Sequence, residues 1–241
     1  MTGVQVLPLE GIPELEEGDD LAALLHEAAG WTGGFQPNDV LVVAQKAVSK
    51  AEGRVVHLDD VEPSAVAREN AGDDGDPRQL EVILGEAVRI VRSRPPLVIA
   101  ETRHGFVCAS AGVDSSNTPG GGTVVLLPLD PDASARALHE RLGVAVIVSD
   151  SFGRPFRQGT TDVAIGVAGL APLLDLRGKR DRVGYELRTT KIAIADEIAG
   201  AAELVMGKTD GIPAAIVRGL EPEGEGSARD LVMPPDRDLF R

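Results

Sequence analysis

Two short segments carry side chains suited to binding a divalent cation and phosphate. In the first, an apolar run at residues 144–148 leads into Asp150-Ser151-Phe152-Gly153-Arg154-Pro155-Phe156-Arg157. Carboxylate oxygens are preferred ligands of Mg²⁺ and Mn²⁺, and Arg154 and Arg157 can hold phosphate or carboxylate oxygens bidentately. The same residues also suit a capped, solvated loop with no ligand, so this segment alone supports both interpretations.

The second segment is Val113-Asp114-Ser115-Ser116-Asn117, which follows the apolar residues 105–109. Two Asp residues on separate loops can share one divalent cation, and the Asn117 amide can bond a phosphate oxygen or a nucleotide edge. An ordinary turn would also explain this sequence. The occurrence of both segments in one chain favours the functional interpretation.

Length and composition limit the class of protein. The chain has 241 residues, of which 43% are hydrophobic and 3% aromatic, so the core must consist mainly of Val, Leu, Ile and Ala. This length suits one large domain or two closely joined ones. No apolar run is long enough to span a membrane, and the N-terminal residues lack a basic-then-apolar signal. We therefore expect a soluble, cytoplasmic protein with no membrane partner.

The charge balance argues against nucleic acid as a partner. The net charge is −14, and an acidic surface repels a phosphate backbone. A small anion responds to the local field instead, and Lys46, Lys50 and Arg54 form a local basic cluster. The single Cys108 excludes an intramolecular disulfide and is best explained as a core residue.

Predicted helices and strands alternate irregularly along the chain and must position these segments. This order predicts a mixed α/β fold with parallel and antiparallel strand pairs. Residues 162–174 have no clear pattern, residues 178–182 form a charged loop, and the polar tail from Glu221 is expected to be partly mobile. Helices are predicted at residues 19–29, 63–70, 77–92, 131–142 and 189–205, the last ending at a left-handed Gly207. Strands are predicted at residues 40–44, 97–101, 105–109, 123–127, 144–150 and 214–217, and a basic loop follows the first of them.

The segment Gly207-Lys208-Thr209 imitates the end of a P-loop, but the required glycine five residues earlier is an alanine, Ala202. It also follows a predicted helix, whereas a P-loop follows a strand. A flexible loop whose N–H groups and lysine can contact a nucleotide is the interpretation that survives.

The chain resembles the coenzyme F420-0:L-glutamate ligases over nearly its whole length. The Val-Ser-Lys-Ala-Glu-Gly-Arg and Asp-Ser-Ser-Asn motifs are the most specific. The segments that carry the resemblance are, in order, Glu10-Gly11-Ile12-Pro13, residues 39–54 with Val48-Ser49-Lys50-Ala51-Glu52-Gly53-Arg54, residues 111–117, residues 127–132, residues 148–154, Ala195-Asp196-Glu197-Ile198-Ala199 and residues 207–213.

The resemblance implies a GTP-dependent, amide-forming ligase with a mixed α/β fold of its own. The implied reaction joins L-glutamate to the phospholactyl carboxylate of coenzyme F420-0 through an acyl phosphate, releasing GDP and phosphate, and further γ-linked glutamates can follow. It also implies a homodimer with an active site near the subunit interface. We expect a single ligase domain over residues 1–241, with or without two subdomains, and no C-terminal flavin-reductase-like domain.

The candidate site residues fall into three groups, of which two are carried over from the family. Asp114, Asp150 and Ser151 match positions that bind Mg²⁺ or Mn²⁺, with K⁺ as a further cation. The chain departs from one family member at Gln45 and Lys46, where that relative has smaller polar residues. The assignment of Arg154 and Arg157 to the acyl phosphate or a substrate carboxylate follows from their chemistry alone. Nucleotide contacts are implied for Ile12, Pro13, Glu14, Leu15, Gln45, Lys46, Lys50, Asn117, Met206, Gly207, Lys208, Thr209, Asp210, Gly211, Ile212 and Pro213.

Two other functions use the same residues. A metal-dependent nucleotide phosphotransferase or hydrolase needs the two Asp segments but no glutamate. A non-catalytic coenzyme- or nucleotide-binding module needs the pocket but no turnover, and its binding would survive substitution of Asp114 and Asp150.

Overall fold

The computed structural model describes residues 3–118 and 120–239, which form a mixed α/β fold, as the sequence predicts. The strands are β1 (Gln5–Pro8), β2 (Val40–Ala44), β3 (Val55–His57), β4 (Ala87–Arg94), β5 (Leu97–Thr102), β6 (Val107–Ala109), β7 (Thr123–Val125), β8 (Ala145–Gly153), β9 (Thr160–Ala168), β10 (Leu174–Asp175), β11 (Lys191–Ile192) and β12 (Ala214–Arg218). The α-helices are α1 (Leu21–Gly30), α2 (Gln45–Ala51), α3 (Ala65–Asn70), α4 (Pro77–Glu86), α5 (Pro131–Leu142) and α6 (Ile194–Met206).

A five-stranded sheet in the order β1-β12-β2-β8-β9 organises the main core. Strands β2 and β8 are parallel, and the other neighbours are antiparallel, which confirms the predicted mixture. Strand β2 and residues 145–148 of β8 are continuous apolar runs, as parallel strands covered on both faces are. Helix α5 packs on β8 and β9, and α6 packs on β9, β12 and β1.

A second, smaller hydrophobic cluster lies apart from the main core. It joins α3, α4, the antiparallel sheet β4-β5-β6 and the β3-β7 pair. Leu80, Ile83 and Val98 are among its buried side chains. The chain thus buries two cores, while its division into domains stays a prediction.

Helix capping explains several confirmed boundaries. Asp20 caps α1 by accepting a hydrogen bond from Ala23 N, and Asp130 caps α5 by accepting one from Ala133 N. Helix α5 ends at Gly143, which is left-handed. Gly207, which ends α6, has φ 58° but ψ −168°. The predicted left-handed cap is therefore wrong in ψ, although the positive φ favours glycine.

Other boundaries differ from the predictions. The helix predicted at 77–92 ends at Glu86, because residues 87–94 pair with β5 as β4. The predicted basic loop after β2 is helix α2, whose Ala47 and Val48 are buried in the main core. Helix α6 begins at Ile194 and not at 189, residues 160–168 form β9, and β1 was not predicted.

No helix in the described ranges combines the length and the apolar character needed to cross a membrane. The tail after Glu221 is not irregular throughout, because residues 228–231 form a 3₁₀ turn. Asp132 of α5 accepts hydrogen bonds from Ala228 N and Ser227 Oγ, which ties this turn to the main core.

Candidate functional site

Asp150 and Ser151 lie inside strand β8 and not in a loop after it. The prediction that the strand ends at Asp150 is wrong because β8 continues to Gly153 as the first arm of a hairpin with β9. Register places Ser151 opposite Asp162, and both Ser149 and Ser151 donate their hydroxyls to that carboxylate, at 2.9 and 2.6 Å. Alternate residues of a strand share a face, which explains why two serines converge on one aspartate.

Asp150 is a half-buried carboxylate with little stabilisation from the protein. Its side chain accepts a hydrogen bond from Ser151 N at 2.9 Å. Loss of hydration raises the pKa of Asp150 to about 7, and the negative charges of Asp114 and Asp162 add to this effect, while Lys208 opposes it. A bound cation would stabilise a carboxylate whose charge is disfavoured by burial and by its acidic neighbours.

Asp114 is held by an ion pair. Its Oδ2 lies 2.7 Å from Lys46 Nζ, which also donates to Ser116 O and Ser116 Oγ. Burial alone would raise the pKa of Asp114, but Lys46 and the N–H of Ser116 outweigh it and hold this pKa below its ordinary value. The two aspartates predicted as metal ligands are therefore neighbours with opposite electrostatic surroundings.

A cavity of about 380 Å³ brings together most of the predicted nucleotide contacts. This volume falls within the range of small-molecule sites in proteins. The predicted residues in its wall are Ile12, Pro13, Glu14, Leu15, Gln45, Lys46, Lys50, Asn117, Asp150, Ser151, Met206, Gly207, Lys208, Thr209, Gly211, Ile212 and Pro213. Segments from α2, β8 and the loop after α6 therefore meet at one place.

Local contacts fix the polar wall of the cavity. Lys50 is buried and forms an ion pair with Glu14, whose own side chain is 67% exposed. Asn117 has φ 52° and donates its side-chain amide to Lys208 O at 3.1 Å, which ties the Asp114 segment to the loop after α6. Within the described residues, the Lys208 ammonium forms no ion pair. Its charge is available to a ligand.

Four predicted site residues are not in the cavity wall. Asp114 forms an ion pair with Lys46, which lines the cavity, and Asp210 lies in sequence between the lining residues Thr209 and Gly211. Arg154 and Arg157 are exposed on the loop that joins β8 to β9. Arg154 donates to Gln158 O at 3.4 Å, a contact within its own loop. The roles assigned to the two arginines stay predictions.

Three polar residues of the wall were missed from the sequence. Ser149 and Asp162 form the hydroxyl–carboxylate contact described above, and Glu203 of α6 accepts a hydrogen bond from Asp162 N at 3.2 Å. The available signal was the hairpin itself, because Gly153 and Gly159 bracket a short loop between two strand-like runs. Pairing the runs across this loop would have placed Asp162 beside Ser151.

The oxygen atoms that could bind a metal here fit an ion that keeps part of its water shell better than one enclosed by protein ligands. Within residues 3–118 and 120–239, no group of three His, Cys, Asp and Glu side chains is arranged to hold a metal ion. Asp114 is engaged by Lys46, and Ser151 Oγ by Asp162. Asp150 offers a carboxylate whose charge is disfavoured by burial and by the charges of Asp114 and Asp162, so a bound cation would stabilise it. Mg²⁺ often takes one or two carboxylates and completes its shell with water and ligand phosphates.

Comparisons with known proteins find one family profile and several relatives that match most of the chain. The profile of the family described as F420-0:Gamma-glutamyl ligase matches residues 11–219. The Coenzyme F420:L-glutamate ligase of Methanopyrus kandleri is 49% identical, with 100% of each chain covered. The protein of the same name from Methanothermobacter thermautotrophicus is 45% identical over 99% of each chain, and that of Methanocaldococcus jannaschii is 46% identical over 86% of each.

Proposed function

Because the chain belongs to the F420-0:gamma-glutamyl ligase family, we propose that it joins L-glutamate to coenzyme F420-0 with GTP as co-substrate. The single observation that carries the proposal from family to site is the composition of the cavity wall. Lysines that can bind anionic phosphates face carboxylates that can bind a cation. A nucleoside triphosphate with its divalent ion needs both.

The reaction that fits this wall has two transfers. In the first, a carboxylate oxygen of the acceptor forms a bond to the terminal phosphorus of GTP as the bond to GDP breaks, giving an acyl phosphate. In the second, the amine of L-glutamate bonds to the acyl carbon, phosphate leaves, and the nitrogen loses a proton. The protein positions the reacting groups and neutralises their charge, which are the main requirements of phosphoryl transfer.

The lysines of the wall have distinct roles in this proposal. Lys208 is exposed and directs its charge toward the phosphates, while Lys50 is buried and exchanges Glu14 for an anionic oxygen of the nucleotide. Lys46 holds Asp114 in place and neutralises it. Removing Lys208 would weaken phosphate binding and, because its charge opposes the rise in the pKa of Asp150, would also disfavour the charged form of that carboxylate.

A divalent ion would be held by Asp150, with Asp114 and Ser151 near it, and K⁺ is a further cation in the proposal. Such an ion supplies charge neutralisation at the transferred phosphoryl group. We propose Mg²⁺ or Mn²⁺ on the donor set, since both prefer carboxylate and hydroxyl oxygens. We also propose that the chain acts as a homodimer.

Arg154 and Arg157 are proposed to contact anionic groups of the acceptor outside the cavity. Their loop directly follows the strand that carries Asp150 and Ser151, so a substrate that reaches Asp150 can extend along it. Lysine at either position would keep the charge but lose the planar fork. We expect R154K and R157K to raise KM for the acceptor, with the affinity for GDP unchanged.

Mass spectrometry of a reaction with coenzyme F420-0, L-glutamate, GTP and Mg²⁺ or Mn²⁺ tests the proposal. A product heavier by one glutamate residue per addition, dependent on both GTP and the metal, is the expected result. GTP hydrolysis without a glutamate adduct would favour the phosphotransferase or hydrolase. Binding without turnover, unchanged in D114N and D150N, would favour a non-catalytic module.

A further inference from the structure

One buried donor in the cavity wall has no acceptor. Among the described residues, the buried side-chain atoms without a hydrogen-bond partner are Gln45 Nε2, Thr102 Oγ1 and His104 Nδ1. Of these three residues, Gln45 alone lines the cavity. A buried donor without an acceptor destabilises a fold, and such groups in native proteins need an explanation. A ligand oxygen at Gln45 would provide one.

The Gln45 amide is held in a defined position. Gln45 begins α2 and is 1% exposed, and Ser49, one turn later, is 0% exposed. Ser49 Oγ donates to Gln45 Oε1 at 3.0 Å. Because the carbonyl end of the amide is engaged by Ser49, the NH₂ end is the part available to the cavity. The donor is therefore preorganised and not free to seek another partner.

The position of Gln45 indicates which ligand oxygen it meets. Strands β2 and β8 are parallel, and Ala44 pairs with Ser149, so Gln45 follows β2 at the level where Asp150 continues β8. Lys46 is the next residue of α2, and Asp150 is the carboxylate proposed to bind the cation. A lysine and a cation-binding carboxylate favour phosphoryl oxygens with their counter-ion over the apolar face of a purine.

We propose that Gln45 Nε2 donates a hydrogen bond to an oxygen of the phosphoryl group that GTP transfers, an inference that rests on the proposed function. During transfer, the bond from phosphorus to the GDP oxygen breaks and the bond to the acceptor carboxylate oxygen forms. The remaining three oxygens of the group keep their charge. An uncharged donor on one of them fixes the orientation of the group and exchanges no proton or electron.

The test compares the affinities of GDP and of guanosine 5′-[β,γ-imido]triphosphate, each with Mg²⁺, by calorimetry. The wild-type protein is expected to prefer the triphosphate. Q45M keeps the shape of the side chain without the donor, so it should keep its GDP affinity and lose roughly 10- to 100-fold in triphosphate affinity, as for a hydrogen bond to a charged group. Q45E, which places a carboxylate there, should lose more.

The possible results separate this inference from the proposed function. Equal losses of GDP and triphosphate affinity in Q45M would overturn the inference, as would unchanged affinity for both. A wild-type protein that binds both nucleotides with equal affinity would also overturn it. A wild-type protein that binds neither nucleotide, or makes no glutamate adduct, would instead contradict the proposed function.

A stability measurement excludes a purely structural role. The variant Q45M/S49A replaces both partners of the Gln45–Ser49 hydrogen bond by apolar groups, which is close to neutral for stability. Its melting temperature in the absence of ligand should equal or exceed that of the wild type, while its preference for the triphosphate is lost. A lowered melting temperature in both Q45M and the double variant would overturn the inference.

Discussion

Asp150 should make the cation-free protein less stable at neutral pH, which is the reverse of what a structural aspartate does. Its pKa rises from 3.8 to about 7, chiefly through loss of hydration. Each pKa unit corresponds to about 1.4 kcal/mol, so the full effect is at most about 4 kcal/mol. Asp150 is partly exposed, and solvent screening reduces this to about 1–3 kcal/mol.

The sign of the pH dependence follows from the two states. Below about pH 4 the carboxyl is protonated in both the folded and the unfolded chain, so Asp150 has no effect. Between about pH 4 and 7 the unfolded chain ionises first, and stability therefore falls as the pH rises. Above about pH 7 the folded protein bears the full cost of the buried charge.

Asp150→Asn removes this charge with little change in shape. In the presence of a chelator, we expect the free energy of unfolding of D150N to exceed that of the wild type by about 1–3 kcal/mol at pH 8. At pH 4 the two proteins should be nearly equal. Urea unfolding at pH 4, 6 and 8 measures the difference directly.

Asp114→Asn is the matched control, because the pKa of Asp114 is held below its ordinary value by Lys46. Such a carboxylate contributes stability above its unfolded pKa, and the contribution disappears as the pH falls through its folded pKa. D114N should therefore be less stable than the wild type at pH 8. Both variants should lose ligase activity by orders of magnitude while they remain folded.

Stability of D150N at or below that of the wild type at pH 8 without metal would refute the reasoning. It would mean that partners within the protein already compensate the Asp150 charge, and that no cation is needed there. Added Mg²⁺ with nucleotide offers a second check, since a ligand that binds the folded state raises stability. This gain should be smaller in D150N than in the wild type.

Three further predictions concern the metal and the scaffold. Chelation with EDTA should abolish glutamate addition, and excess Mg²⁺ should restore it, as mass spectrometry would show; activity that persists in EDTA would contradict a metal requirement. Asp132 accepts hydrogen bonds from Val167 N and Ala228 N, so D132A should lower the free energy of unfolding by about 2–4 kcal/mol, and D132N by less. A Cβ on Gly166 would lie 2.2 Å from Pro131 O, whereas one on Gly153 meets nothing within 4 Å, so urea unfolding should show at least about 2 kcal/mol of destabilisation for G166A and under about 0.5 for G153A.

Sequence patterns were sufficient where local chemistry determines an element. Helix α5 has its predicted bounds because Asp130, Pro131 and Gly143 form a cap, a first turn and a left-handed end. Strand β2 also has its predicted bounds. The family membership inferred from sequence segments is confirmed by the profile that matches residues 11–219.

Patterns failed where tertiary pairing overrides local preference. Residues 87–91 continue the apolar spacing of α4, but Val88, Ile90 and Val91 are β-branched, and pairing with β5 makes them a strand. Helix α2 was missed because Ala44, the residue at its N-cap, supplies no side-chain hydrogen bond. It forms because its apolar residues pack into the main core.

The cavity shows which features of a site a sequence can reveal. Segments with charged residues, such as those around Asp114 and Lys50, attract attention because their side chains suggest chemistry. The family resemblance implies a nucleotide contact at Gln45, but its residue type alone suggests none, since a glutamine after a strand could be exposed in any loop. Its significance comes from three facts of packing: burial, an engaged carbonyl and an unpaired NH₂. The fold accepts two unfavourable groups in its ligand-free state, the unpaired donor of Gln45 and the destabilised carboxylate of Asp150. Both lie where a phosphate and its cation would stabilise them.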